Sequence, residues 1–225
     1  CQGNQLTSLD VKDLTTLQVI WCQDNQLTEI NVSGLTALKE LNCGNNKLTA
    51  LEVQGLTALK WLACYNNQLS ELNVQGLIAL KRFDCYENKL TSLDVQGLTT
   101  LQLLDCNSNQ LTALNVQGLT ALERINCSAN KLTSLNVEGL TVLELLNCWG
   151  NKLNAEEMTK LLKALLAREA SDDAKAILYT EETGKTEGNH KDYTQPAELK
   201  AAFDGAKSRN WKLKKINVYG NWKDI

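Results

Sequence analysis

The 225-residue sequence contains no long apolar run, only one histidine and no excess of basic charge. A membrane-spanning helix needs about 18 or more consecutive apolar residues, so no transmembrane segment is predicted. Zinc sites combine closely spaced cysteine and histidine ligands, but the chain has no C-x2-C pair and only His190. We therefore predict no metal and no other cofactor. The net charge is -3, and neither residues 1–153 nor residues 154–225 form a basic patch, so we expect no nucleic acid partner.

The chain also begins without an initiator methionine or a signal peptide, and Cys1 lies in the middle of a repeat. We interpret the sequence as a fragment or a processed product. A cysteine at position 1 can mark a lipid-modified N-terminus. Cys1 is, however, in register with seven other cysteines, which explains it without a lipid.

A strict period of 21 residues runs through the first two thirds of the chain. The period is visible in the eight cysteines, which are Cys1, Cys22, Cys43, Cys64, Cys85, Cys106, Cys127 and Cys148. An asparagine follows each cysteine by three residues and a leucine follows it by five, so that residues 59–69, LKWLACYNNQL, read LxxLxCxxNxL. This is the leucine-rich-repeat pattern with cysteine in the third apolar position. It predicts an α/β repeat fold, a solenoid of 21-residue repeats with a parallel β-sheet on its concave face.

The cysteines are predicted to fill the core. In LxxLxC the second leucine and the cysteine are two residues apart on a short strand, so they share one face, which is the interior. A thiol needs no strong hydrogen-bond partner and fits a narrow apolar column. Disulfides between repeats are disfavoured because strands in register hold Cβ atoms about 4.8 Å apart, beyond the usual disulfide range of about 3.5–4.5 Å. We expect eight reduced, buried thiols.

The asparagines and glycines are predicted to shape the turns. An inward asparagine amide can satisfy backbone donors and acceptors where each strand ends. A glycine recurs in the return path and permits its tight bend. With so few residues per repeat, the return path has little room for a helix, and extended or 3-10 segments are expected there.

The outward strand positions vary, whereas the core positions repeat. Bulky aromatic and charged side chains cluster there, and exposed Trp, Tyr and Arg dominate protein interfaces. The candidate binding residues are Trp21, Trp61, Tyr65, Arg82, Asp84, Tyr86, Asp105, Arg124 and Trp149. The alternative is an ordinary concave surface whose aromatic side chains stack on each other across strands.

Residues 154–225 are predicted to be a helix-containing cap made of two enlarged repeats that continue the sheet beyond the eight units of residues 1–153. Asn154 and Glu157 form a capping-box pattern before an amphipathic helix, a strand follows, and a second helix begins near Pro196. The segment LKKINVYGN then matches LxxLxLxxN, with its pattern residues at Leu213, Ile216, Val218 and Asn221. A separate functional domain is the alternative. Self-association through the uncapped edge of the first repeat is a further expectation.

The pattern LxxLxCxxNxLTxLDV at this step resembles the cysteine-ladder leucine-rich repeats of bacterial surface proteins, similar to the internalin class. Residues 172–215 resemble the end segment of such proteins in host-associated spirochaetes. The resemblance implies an extracellular or cell-surface module that binds a host or bacterial protein through its concave strands. The sequence differs from internalins in showing no N-terminal helical cap and no cell-wall sorting signal. The alternative function is an intracellular or periplasmic structural scaffold.

An enzymatic function has little support in the sequence. Catalysis needs a base or nucleophile held beside an orienting partner. The thiols are predicted to be buried, and His190 lies in a glycine-containing loop near Glu187, Lys191 and Asp192, where a solvated surface role is expected. We predict that the protein is not an enzyme.

Overall fold

The computed structural model describes residues 1–225. Each repeat except the partial one at Cys1 contributes one short strand followed by a return path of turns. The strands of the repeats are β1 (Val19–Trp21), β2 (Glu40–Asn42), β3 (Trp61–Ala63), β4 (Arg82–Asp84), β5 (Leu103–Asp105), β6 (Arg124–Asn126) and β7 (Leu145–Asn147). Neighbouring strands pair in parallel and in exact repeat register, so equivalent residues stand side by side. The predicted leucine-rich-repeat solenoid is confirmed.

The core is a set of stacked apolar columns between the sheet and the return path. In the third repeat, Leu59, Leu62 and Cys64 are completely buried. Equivalent residues of the other repeats join them in one continuous cluster. No single repeat could bury this face alone, because each one covers its neighbours.

Seven of the eight cysteines occupy one of these columns. All seven from Cys22 to Cys148 are buried, and all eight cysteines are free thiols. Burial raises the pKa of the Cys22 thiol to about 11 and that of Cys127 to about 12. The prediction of buried thiols is confirmed for these seven and is wrong for Cys1, which is exposed because only one repeat packs against the outermost turn.

The asparagines form the predicted ladder of side-chain hydrogen bonds. Asn67 donates to the carbonyl oxygens of Cys43 and Cys64, both at 3.1 Å, and its Oδ1 accepts from the backbone N–H of Leu48 at 2.9 Å. It also donates to the carbonyl oxygen of Tyr65 at 3.2 Å, so one amide connects four backbone groups of two repeats. In the return path, Gly55 has a φ of +81°, a left-handed conformation that glycine adopts without steric cost.

The chain after the repeats forms a helix-containing cap that extends the same sheet. Its elements are α1 (Ala155–Ala164), a 3-10 turn (Ala170–Asp172), β8 (Lys175–Thr180), α2 (Ala197–Ser208), β9 (Lys212–Ile216) and β10 (Trp222–Asp224). Strands β8 and β9 continue the parallel order, and β10 pairs with β9 in the antiparallel direction. The Asn154 side chain caps α1 by accepting from the N–H of Glu157 at 2.9 Å.

The register predicted for the last strand is wrong. Leu213 pairs with Ala176, which pairs with Leu146, so Leu213 takes the place of the second leucine of the repeat and not the first. Val218 is half exposed and Asn221 is exposed, so neither belongs to a core column. The reason is a bulge between β8 and β9 and the hairpin to β10, which the periodic pattern does not encode.

The asparagine ladder is extended by one strand beyond Asn151 through Asn189, in the loop between β8 and α2. Its Nδ2 donates to the carbonyl oxygens of Cys148 at 2.8 Å and Leu178 at 2.9 Å, and its Oδ1 accepts from the N–H of Leu153 at 2.9 Å. The loop is fastened by Glu187, whose carboxylate accepts from the N–H of Gly150 and of Thr180. The cap thereby satisfies the polar groups at the end of the last repeat.

Candidate functional site

The short strands decide which side chains face outward. The middle residue of each strand is buried, and the first and third residues point to the opposite face of the sheet. The residue after each cysteine continues this outer face. The nine candidate residues therefore lie on one surface, although they differ in exposure and in contacts.

Trp61, Arg82 and Asp84 form a hydrogen-bonded unit across two strands. Oδ2 of Asp84 accepts from Nε1 of Trp61 at 2.9 Å and from Nε of Arg82 at 2.7 Å. The Arg82 guanidinium lies 5.1 Å from the centre of the Trp61 ring, within the range of a cation–π interaction. The Trp61 ring is thus fixed on two sides.

Asp84 departs from the sequence-based expectation. It lies in an outward column, but only 3% of the residue is exposed because Trp61 and Arg82 cover it. Asp84 cannot offer its carboxylate to a protein partner, so its place among the contact residues is corrected. It positions the two side chains that do reach the surface.

Trp21 extends this unit toward the first repeat. Its ring meets Trp61 edge to face, with 6.3 Å between the ring centres, and its Nε1 donates to Oε2 of Glu40 at 3.2 Å. Trp21 is 45% exposed. It is more exposed than the other two tryptophans of the repeats, Trp61 and Trp149, which are half-buried.

Tyr65 and Tyr86 form a second aromatic unit beside the first. Their rings are stacked, 4.7 Å apart and inclined by 6°. Tyr65 leans over Gly44 of the preceding repeat, where a Cβ atom would lie 2.4 Å from its Cζ. Partial burial raises the pKa of both phenols, to about 12 for Tyr86, which also faces Tyr65. The two rings are therefore neutral at physiological pH.

Asp105 stands beside Asp84 in the next strand. Its Oδ1 accepts from Nδ2 of Asn107 at 2.6 Å, and its Oδ2 accepts from Nδ2 of Asn126 at 3.2 Å. Burial raises the pKa of the Asp105 carboxyl, and these hydrogen bonds oppose that shift. Half-buried Asp105 thus adds a polar rim to the aromatic units.

The remaining two candidates stand apart from the aromatic units. Arg124 is exposed on β6. Trp149 is half-buried in the same column as Tyr86, three strands further along, with Asn107 and Ser128 between them. The structure therefore brings together Trp21, Trp61, Tyr65 and Tyr86, which we call the aromatic patch.

Sequence reasoning missed Trp222, at the start of β10. It is 47% exposed and lines a surface cleft together with Arg124, Leu145 and Lys175. No repeat signal could have placed it, because the antiparallel hairpin lies outside the period. The cleft lies at the end of the outer face that adjoins the cap.

No group of three or more His, Cys, Asp or Glu side chains is placed to hold a metal ion. None of the helices combines the length and the apolar character required to cross a bilayer.

Comparisons with known proteins agree with the architecture. Residues 15–56 match the family model of leucine-rich repeats (two copies). No curated protein matches the chain. The functional domain of InlJ from Listeria monocytogenes, which includes a cysteine ladder, is 27% identical with a TM-score of 0.59, and the match covers 98% of this chain and 55% of that one.

Two further solved structures resemble the chain. A leucine-rich-repeat protein of Leptospira interrogans is 25% identical with a TM-score of 0.69, covering 93% of this chain and 58% of that one. An internalin, InlF of Listeria monocytogenes, is 22% identical with a TM-score of 0.69, covering 87% and 56%, and at this identity it shows the fold alone. The chain spans about half the length of these structures. The chain has a leucine-rich-repeat fold that is similar to the folds of these structures.

Proposed function

We propose that the protein is a non-catalytic binding module of a bacterial surface or secreted protein, and that it contacts a host or bacterial protein through the concave face of its sheet. The observation that carries this proposal is the aromatic patch, in which four aromatic side chains are held in fixed positions by neighbouring strands. Large aromatic side chains bury much area, and those already fixed lose little conformational freedom on binding.

The surroundings of the patch favour a protein partner. Arg82 is exposed beside it, and half-buried Asp105 and its amide partners supply hydrogen-bonding groups at the rim. An apolar centre with a polar rim is the usual anatomy of a protein interface. The extracellular location rests on the resemblance to internalins.

The test compares protein capture by wild-type and altered patches. Immobilised wild-type protein should retain a specific protein from a mixture of host extracellular proteins, and the variants Trp21→Ala and Tyr65→Ala should bind it at least tenfold more weakly. Gln75→Ala, an exposed change on the return side, is the matched control and should bind normally. Equal capture by all variants would refute binding through the patch.

Location separates this proposal from a scaffold inside the cell. Protease added to intact cells should remove a surface protein. Survival of the native protein under that treatment, together with its recovery from the cell interior or periplasm, would favour the scaffold.

A further inference from the structure

A second exposed feature runs across the sheet at the ends where strands β2 to β7 begin, and it takes no part in the aromatic patch. The neutral and exposed Gln18 stands before β1. The residue immediately before each strand from β2 to β7 is also exposed or half-exposed, and its charge changes from basic to acidic along the solenoid. In chain order these residues, which we call the charge stripe, are Lys39, Lys60, Lys81, Gln102, Glu123 and Glu144. Three positive positions are followed by one neutral and two negative positions.

Backbone hydrogen bonds join each residue of the stripe to the next. The N–H of Lys60 donates to the carbonyl oxygen of Lys39 at 2.8 Å, and the same bond links Lys81 to Lys60. It recurs from Gln102 through Glu144. Equivalent atoms of neighbouring strands are about 4.8 Å apart, so like charges stand side by side.

This arrangement is unfavourable in the isolated chain. Neighbouring like charges on a sheet repel each other. None of the five charged members of the stripe forms an ion pair within the chain, and the Lys39 ammonium is bonded only to the neutral amide of Gln18. The stripe presents unpaired charge of both signs in a fixed order.

The order is complementary to itself when reversed. A second copy that runs in the opposite direction, with a two-fold axis between Lys81 and Gln102, places Lys39 opposite Glu144 and Lys60 opposite Glu123. Lys81 then faces the neutral Gln102. Every unlike pair occurs twice, as a two-fold interface requires. No like charges meet across this axis.

An exposed apolar residue lies at the same axis. The residue three before each lysine or its equivalent is a threonine in the other repeats, namely Thr15, Thr36, Thr57, Thr99, Thr120 and Thr141, but it is Ile78 in the fourth repeat. Ile78 is 63% exposed. It belongs to the repeat of Lys81, so the proposed axis brings the Ile78 side chains of the two copies close to the centre of the contact. Apolar contact at the centre with charges outside it is the anatomy of a specific interface.

We propose that the charge stripe and Ile78 form a docking surface for a second copy of this chain, which binds in antiparallel orientation about a two-fold axis. The contact lies at the ends where the strands begin, so the outer faces of both copies remain open. Exposed ion pairs are screened by salt, so the dimer is weak and depends on ionic strength. The proposal is independent of the function of the aromatic patch.

The test uses two charge-reversal variants. Neither should dimerise alone, but the two should dimerise with each other when they are mixed. Sedimentation equilibrium of the wild type at low salt should show a dimer, and the association constant should fall by about tenfold or more when salt rises from about 0.05 M to about 0.5 M. The variant K39E/K60E/K81E and the variant E123K/E144K should each be monomeric. Mixed in equal amounts, they should form a heterodimer, because their stripes carry opposite charge throughout.

Two controls locate the contact. The variant K47E/K89E/K131E makes the same change in charge among exposed lysines that follow the strands and do not precede them. This variant should dimerise normally. Ile78→Thr, which restores the residue found in the other repeats, should weaken the dimer at least tenfold, with an unchanged melting curve. A monomeric wild type at millimolar concentration would overturn the proposal. So would failure of the two folded reversal variants to pair, or a dimer through the edge of the first repeat that ignores the stripe.

Discussion

Nε1 of Trp61 donates a 2.9 Å hydrogen bond to Oδ2 of Asp84 on the neighbouring strand, and the tryptophan ring covers the carboxylate that it binds. Exposed and buried members of the outer face therefore depend on each other. Replacement of Asp84 by Ala leaves Trp61 and Arg82 without their shared acceptor. We expect a loss of about 1–3 kcal/mol in the free energy of unfolding, measured by chemical denaturation.

The matched control for this change is Glu71→Ala, an exposed carboxylate on the return side, which should alter stability by less than about 0.5 kcal/mol. Partner binding should also weaken in Asp84→Ala although Asp84 itself touches no partner. Normal stability of Asp84→Ala would show that the hydrogen bonds to its carboxylate contribute nothing to the fold.

Gly44→Ala should displace the tyrosine stack. The new Cβ would lie 2.4 Å from Cζ of Tyr65, so the ring must move, and its contact with Tyr86 must change with it. We expect an altered near-ultraviolet circular dichroism spectrum, unchanged far-ultraviolet spectrum and weaker binding of the captured partner. Gly55→Ala is not a suitable control because of its positive φ. Ala50→Gly, which is exposed and outside the patch, serves instead.

The raised pKa values of the buried thiols predict that the folded protein loses stability at high pH. Burial raises the pKa of Cys22 to about 11 and of Cys127 to about 12 in the folded chain, whereas an unfolded thiol titrates near about 8.5. The folded state therefore binds more protons above that value, and the contribution of these thiols to stability is complete below it and is lost as the pH rises toward 11–12. Melting temperatures at pH 7, 9 and 10.5 should fall in that order, and less steeply in Cys127→Ala.

Reaction with a thiol reagent at neutral pH gives a second measurement on the same column. Cys1 is exposed and should react rapidly in the native protein, whereas the seven buried thiols should react only as the protein unfolds. Cys85→Ser should cost about 1–3 kcal/mol of stability, because a hydroxyl needs a partner in an apolar column. Rapid modification of all eight thiols in the folded protein would contradict their burial.

Asn189→Ala should be among the most destabilising single changes in the cap. It removes the acceptor of the Leu153 N–H and a donor to the carbonyl oxygen of Leu178, and each buried unsatisfied group costs about 1–3 kcal/mol. The carbonyl oxygen of Cys148 loses one donor and keeps Nδ2 of Asn151 at 2.9 Å. Asn221→Ala, at the position that the repeat pattern favoured, should change little because that residue is exposed. Denaturation curves of the two variants compare these outcomes directly. Equal stability would mean that the ladder ends at Asn151.

Deletion of residues 154–225 tests whether this segment is a cap. The truncated solenoid would expose the edge of β7 and the apolar face of the last repeat. We expect it to aggregate or to melt at a lower temperature, measured by light scattering and calorimetry. A monomeric and equally stable fragment would identify residues 154–225 as an independent domain.

The sequence alone was sufficient to predict the fold of the repeats, because each core position recurs at the same step and one period describes all of them. Leu62, Cys64 and Asn67 have the burial and the partners that their spacing predicted. The sequence also placed the aromatic residues on the outer face, since alternation along a strand follows from backbone geometry. These properties depend on local spacing and on repetition.

Tertiary structure decided the properties that depend on neighbouring repeats and on irregular segments. Asp84 is buried although its strand position points outward, because side chains of adjacent strands close over it. Asn189 extends the asparagine ladder by one strand beyond Asn151, because a loop of irregular length after β8 reaches the last repeat. A periodic sequence specifies which face a residue occupies, but its exposure and its partners are set by side chains that come from other turns of the chain.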